Sequence, residues 1–183
     1  HLRFRRQRQM CIRDRYITAG EIIEVVTGKS WYENVAERIL KPLGMQRTIS
    51  SLKDLEQKGN YAMPHVEREG VNNIIPWTNW ETVAATGGLI SSVEDLSKWL
   101  LFNLNKGTHG KDSILSKATR NTLWTPHTNR KVDHTKKNVF KRHFKSYGLG
   151  WGLSDYHGRM LVSHTGGYDG MLSSVALIPD ENL

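Results

Sequence analysis

Residues 161–170 read LVSHTGGYDG. A short apolar run, Leu161-Val162, leads into an imidazole, a hydroxyl and two glycines, His164-Thr165-Gly166-Gly167. Apolar residues bounded by turn formers signal a strand. The stretch therefore predicts a strand that finishes on groups able to move protons and on bare backbone open to close approach. Taken alone, the tetrapeptide favours a plain glycine hairpin with His164 and Thr165 merely half exposed. Its neighbours share the texture. YGLGWGLSD (147–155), GRMLVSHTG (158–166) and MLSSVALIPD (171–180) are short, β-rich and separated by the turn signals DYHG and GGYDG.

Upstream the period changes to that of helices. TAGEIIEVVTG (18–28) places Ile22, Ile23 and Val26 on one expected inner face and Gly28 at its end. SWYENVAERILKPLG (30–44) opens with Ser30 and Glu33 at capping-box spacing, has Val35, Ile39 and Leu43 as its inner face, and ends at Gly44. A second capping box is expected from Ser91 and Glu94, ahead of a helix that buries Val93, Leu96, Leu100 and Leu104 and stops near Gly107. A shorter helix follows Ser116 and stops before Pro126. Between the second and third helices, residues 46–85 read as irregular, with the tryptophan pair of PWTNW (76–80). So long a loop is expected to carry function or a binding surface. Helices first and strands last, with no βαβ alternation, predict an α+β fold with an antiparallel sheet.

The chain has 183 residues, enough for one domain with a real core. Its net charge of +8 is concentrated: residues 1–15, HLRFRRQRQMCIRDR, carry +5, and they also hold the only cysteine, Cys11. RQRQMCIRDR lacks any structural period and resembles a translated adaptor scar, so residues 1–15 are expected to be a non-native tail. A basic arm for nucleic acid is the lesser reading. Residues 127–146, with Lys136, Lys137, Lys141, Arg142 and Lys145, are expected to form a solvated basic loop; Phe140 and Phe144 are too few aromatics for nucleic-acid binding. No apolar run approaches the roughly 20 residues needed to cross a bilayer.

Several apparent motifs fail. TGKS (27–30) has Ile23 where a phosphate-binding loop needs glycine. The glycines of GLGWG (148–152) precede no helix that could face a pyrophosphate. The eight histidines show no metal-ligand spacing, and His65, His109 and His127 read as structural.

Three segments in order, YITAGEIIEVVTGKSWYENVAERILKPLGM (16–45), TGGLISSVEDLSKWL (86–100) and YGLGWGLSDYHGRMLVSHTGG (147–167), resemble the β-lactamase-related serine hydrolases, which include class C β-lactamases, penicillin-binding peptidases and esterases. The resemblance covers nearly all of residues 16–183. It implies a β-lactamase/transpeptidase-like fold: an antiparallel sheet flanked by helices, with a helical lobe over 16–126, the basic loop over 127–146 and sheet strands over 147–183. It also implies catalysis through Ser-x-x-Lys, Tyr-x-Asn and a Lys-Thr-Gly or His-Thr-Gly strand.

By position, HTGG matches the third motif. The resemblance makes His164 and Gly167 catalytic, one tuning proton transfer and the other giving its N–H to an oxyanion. Thr165 and Gly166 become substrate-binding, through a hydroxyl and a close backbone approach. Ser-x-x-Lys is expected to be missing from the chain and to lie upstream in a longer parent. The Tyr-x-Asn letters of Tyr32-Glu33-Asn34 fall too far downstream, and Tyr16 is not their equivalent. The expected protein is thus part of a monomeric hydrolase with a peptide, β-lactam or ester substrate, in a periplasmic or secreted parent. The resemblance implies no metal, organic cofactor or nucleic-acid partner. A non-catalytic peptide-binding homologue is the alternative.

Overall fold

The computed structural model describes residues 14–110, 112–132 and 141–183. Cys11, most of the basic tail, Lys136, Lys137 and Phe140 lie outside the described residues. The chain forms two compact units, one of residues up to Leu96 with Gly167–Met171, the other of Ser97–Gly166 with Leu172–Leu183.

In the first unit, helix α1 (Asp14–Thr27) begins inside the stretch set aside as a tail and ends at Gly28, whose φ is +67°. Its inner face is not the expected one. Ile22 is 57% and Val26 77% exposed, whereas Gly20 is buried with Ile17, Glu24 and Thr27 half-buried along the same line. The reason is steric. A Cβ at Gly20 would lie 2.7 Å from the Ala85 Cβ, so the bare backbone lets the helix approach the 3₁₀ segment Glu81–Thr86. Close packing through a glycine has overridden the stripe of branched residues.

Helix α2 (Trp31–Val35) starts with the expected capping box: Ser30 Oγ accepts from the Glu33 N–H at 3.2 Å, and Glu33 Oε2 accepts from the Ser30 N–H at 2.8 Å. A π-helical turn, Ala36–Leu40, extends it. The wider turn rotates the face, so Leu40 and Leu43 are buried while Val35 and Ile39 are only half-buried.

Residues 46–85 are more ordered than their composition suggests. They hold the 3₁₀ turn Leu52–Asp54, helix α3 (Leu55–Lys58) and a hairpin of β1 (His65–Arg68) and β2 (Val71–Ile74). Its two-residue loop, Glu69-Gly70, has φ of +53° and +78°. Such a turn favours Asn-Gly or Asp-Gly, and a glutamate there hides the hairpin from a reading of sequence.

Helix α4 (Val93–Leu104) is capped one residue later than expected. Ser92 Oγ accepts from the Asp95 N–H at 3.2 Å, while Ser91 Oγ bonds Thr48 Oγ1 at 2.8 Å. Asp95 is 1% exposed, and its Oδ2 accepts from the N–H groups of Arg47 and Thr48 and from Thr48 Oγ1. This carboxylate ties residues 47–48 to the helix start. Val93, by contrast, is 83% exposed rather than inward.

The second unit takes up α4 at Ser97 and adds the strand pair β3 (Thr108–His109) and β4 (Asp112–Ser113), then α5 (Lys117–Leu123) capped by Ser116. Five strands follow in the order β5 (Thr128–Asn129), β6 (Lys145–Tyr147), β7 (Gly152–Tyr156), β8 (Arg159–Tyr168) and β9 (Met171–Leu177). The expected basic loop 127–146 therefore supplies β5 and the first residues of β6, because Thr128 and Asn129 pair with Tyr147 and Ser146. The core joins Trp124, Trp151, Leu153, Val162 and Leu177, with Trp99, Leu100 and Leu104 of α4 packed on it.

Gly148 marks the tightest point of this unit. A Cβ there would strike the Leu123 carbonyl oxygen and lie 3.2 Å from the Thr125 carbonyl oxygen. Both neighbours are backbone and cannot swing away. Gly148→Ala is expected to destabilise the chain by about 1–3 kcal/mol, measured as a lower urea midpoint at unchanged slope.

Candidate functional site

The strand carrying HTGG does not stop there. β8 runs from Arg159 through Tyr168, so His164-Thr165-Gly166-Gly167 lies within it, and Asp169-Gly170 makes the turn into β9. All four residues are exposed. Val162, two residues earlier, is completely buried and anchors the strand.

His164 has two neighbours that the sequence did not single out. Tyr147 Oη is 3.0 Å from His164 Nε2, and Arg130 lays its guanidinium 4.4 Å from the centroid of the Tyr147 ring. The strand register accounts for their meeting. Tyr147 of β6 pairs with Gly152 of β7, and Gly152 pairs with Ser163 of β8, next to His164. The middle position carries no side chain. The His164 pKa lies below the ordinary imidazole value, chiefly because its ring is partly withdrawn from water. The Arg130 charge pushes the same way, while a hydrogen bond with the Thr165 backbone opposes both.

A Cβ at Gly166 would meet the Ser173 hydroxyl on β9, which would have to rotate aside. Gly167 leads directly into Tyr168, whose ring meets Trp77 at 5.8 Å and Trp80 at 5.3 Å between centroids. Thr78 Oγ1 donates to Asp169 Oδ2 at 2.7 Å, and the His65 N–H donates to the Gly170 carbonyl at 3.0 Å. The aromatic residues of PWTNW thus gather at the turn that follows HTGG, within the first unit.

The expectation that the chain lacks Ser-x-x-Lys fails on the letters, since Ser50-Ser51-Leu52-Lys53 has that spacing. The geometry gives these residues other work. Ser51 caps the 3₁₀ turn Leu52–Asp54, and its hydroxyl donates to Glu81. Lys53 is exposed, and among the described residues no hydrogen bond joins it to the Ser50 hydroxyl. A nucleophile needs its base within hydrogen-bond reach. Ser50 and Lys53 border a cavity of about 270 Å³ with Gly20, Glu24, Trp31 and Glu81.

Asn34 of the Tyr-x-Asn letters is buried, and its amide donates to Thr27 Oγ1, the Lys29 carbonyl and the Ser30 carbonyl. It holds the α1–α2 turn. His65 and His127 bond the Met63 and Thr122 carbonyls, as their structural reading anticipates, and His109 stands exposed on β3.

A further ionisable pair supports the sheet. Asp155 on β7 accepts from the N–H groups of His143 and Phe144 at 2.8 and 3.0 Å and from His143 Nδ1 at 2.6 Å. Burial pushes its pKa up, but these hydrogen bonds outweigh burial and bring it from 3.8 to about 2. A carboxylate held below its ordinary value adds stability above that value and gives it up as pH falls through the folded one. The loss should therefore come between about pH 4 and pH 2. Asp155→Asn is expected to cost about 1–3 kcal/mol at pH 7 and to flatten the acid limb of a stability-against-pH curve.

No helix among the described residues is long and apolar enough to cross a membrane. The family model described as Beta-lactamase matches residues 15–183. The chain is 32% identical over 174 residues to the Unguisins hydrolase ungD' of Aspergillus campestris, covering 90% of this chain and 30% of that protein. It is 29% identical to Protein flp of Staphylococcus aureus, over 91% of this chain and 30% of that one. The octameric penicillin-binding protein homologue from Pyrococcus abyssi superposes with a TM-score of 0.77 at 30% identity, over 91% of this chain and 35% of that one. The chain therefore spans about a third of the length of these relatives. Helices followed by an antiparallel sheet, an HTGG strand and a family match over almost the whole length agree: this chain belongs to the β-lactamase family, and covers part of its larger domain.

Proposed function

We propose that the chain is part of a serine hydrolase that works through an acyl-enzyme on a peptide, β-lactam or ester. The observation that carries this reading is the HTGG strand, exposed and preceded by the fully buried Val162, in a chain of this family. The nucleophile comes from outside residues 14–183. Its oxygen attacks the substrate carbonyl, the leaving group departs with a proton, and water later hydrolyses the ester.

In this reading His164 acts on the proton transfers. The Thr165 hydroxyl holds the substrate carboxylate or carbonyl, Gly166 admits its backbone, and the Gly167 N–H donates to the tetrahedral oxyanion. In the full-length protein, Thr165→Val is expected to raise KM several-fold for substrates with a free carboxylate while kcat changes less, because one hydroxyl is lost and the shape is kept. Steady-state kinetics on paired substrates with and without the carboxylate test it. Equal KM values for the variant and the parent on both would contradict the assignment.

The gathering of Trp77, Trp80 and Tyr168 favours a second reading, a non-catalytic homologue that holds peptides on aromatic rings. Binding of a peptide without its turnover by the full-length protein would decide for it.

A further inference from the structure

His164 is the one proposed acid–base group whose surroundings the described residues display, and it does not stand alone. Its Nε2 lies 3.0 Å from the Tyr147 hydroxyl, with ring centroids 6.2 Å apart. Arg130, just after β5, is anchored at its backbone by the Lys145 carbonyl at 2.8 Å, and its guanidinium covers the Tyr147 ring. Three residues from three strands or their ends, 130, 147 and 164, thus form a chain that finishes on the imidazole. All three lie in the second unit.

We propose that Tyr147, held in place by Arg130, is a positioning residue that fixes the ring rotation and tautomer of His164. The inference rests on the hydrolase reading for its purpose, though not for its test. Which imidazole nitrogen carries the proton is set by the bond the other one makes. In this arrangement the Tyr147 hydroxyl, 3.0 Å from Nε2, is assigned as the donor, which leaves the proton of the neutral ring on Nδ1. Arg130 adds two effects. Its planar cation over the ring face restrains the phenol, and its charge disfavours a second positive charge on His164. Among the described residues, Arg130 is the charged group that acts on this imidazole through space, and Tyr147 is the titratable group in contact with it. Both effects favour the neutral ring, the form in which a histidine can take up a proton near neutral pH.

The sequence pattern is consistent with a dedicated arrangement. Tyr147 ends β6 at the register position opposite Gly152, where a side chain on residue 152 would crowd the Ser163 carbonyl, 3.2 Å from the would-be Cβ. Its hydroxyl reaches two strands across from its own, whereas a purely packing role would need only the ring.

The test is nuclear magnetic resonance of the imidazole on the chain itself, with no turnover required. Proton-detected ¹⁵N spectra across pH report the His164 tautomer and pKa in the parent, Tyr147→Phe, Arg130→Gln and Arg130→Lys. Tyr147→Phe should move the neutral ring toward the Nε2–H tautomer and raise its pKa. Arg130→Gln should raise the pKa, and Arg130→Lys should restore most of that change, since it keeps the charge while losing the flat stack. In the full-length protein, Tyr147→Phe should lower kcat on the order of tenfold, the rate equivalent of one hydrogen bond to a neutral group, with KM little changed. An unchanged tautomer and pKa in a folded Tyr147→Phe would overturn the proposal. A changed tautomer and pKa with parental kcat would uphold the positioning but remove His164 from the chemistry, which separates this inference from the hydrolase reading.

Discussion

Incubated with a fluorescent penicillin or a p-nitrophenyl ester, this chain is expected to form no covalent adduct and to release no product above background. The serines with the most suggestive surroundings lack what acyl transfer demands. Ser50 has the Ser-x-x-Lys spacing, but its lysine is exposed and makes no bond to it. Ser51 does meet a carboxylate, Glu81, yet that bond is also what holds the Glu81 pKa below its usual value. A carboxylate so stabilised is a weak base, and general-base efficiency rises with a pKa nearer the working pH. The effect is all-or-none and is read directly by gel fluorescence and intact mass. A serine of residues 14–183 labelled stoichiometrically, with labelling lost on its replacement by alanine, would contradict the placement of the nucleophile elsewhere.

His164→Ala in the full-length protein is the second large effect. A positioned acid–base group contributes roughly 10²–10⁴-fold in rate, and the lower end is expected because, in the proposed mechanism, a lysine and a tyrosine would share the proton traffic. The loss should fall on kcat, with KM moving little, since the imidazole acts mainly in the transition state. pH adds a signature. A His164 pKa held below the ordinary value keeps the ring neutral at pH 7, so the acid limb of kcat/KM should fall below about pH 6.5. Arg130→Gln should move that limb to higher pH, because it removes a charge that opposes protonation. A limb unmoved by both substitutions would assign it to another group.

The order of elements was legible because each helix and strand announces itself locally. Ser30 with Glu33, Ser116 before α5 and the glycine turns around β8 follow rules that need only a few neighbouring residues. What the sequence misplaced depends on contacts between distant residues. The buried line of α1 follows Gly20 because of Ala85, sixty-five positions away. The α2 face shifted because a π turn cannot be read from apolar spacing, and the α4 cap moved to Ser92 because Ser91 is bonded to Thr48. At the site, HTGG was visible as letters, whereas its surroundings were not. Tyr147 and Arg130 reach His164 only through strand register, and Trp77 and Trp80 reach Tyr168 only through the path of residues 75–80.

The most direct test of the central claim, that the HTGG strand is the acyl-binding strand of a serine hydrolase, is the acylation rate of the full-length protein by a fluorescent phosphonate, in parent and His164→Ala forms matched by circular dichroism. The account predicts a label on one serine outside residues 14–183, formed on the order of a hundredfold more slowly in the variant. A folded His164→Ala that is labelled at the parental rate would contradict it.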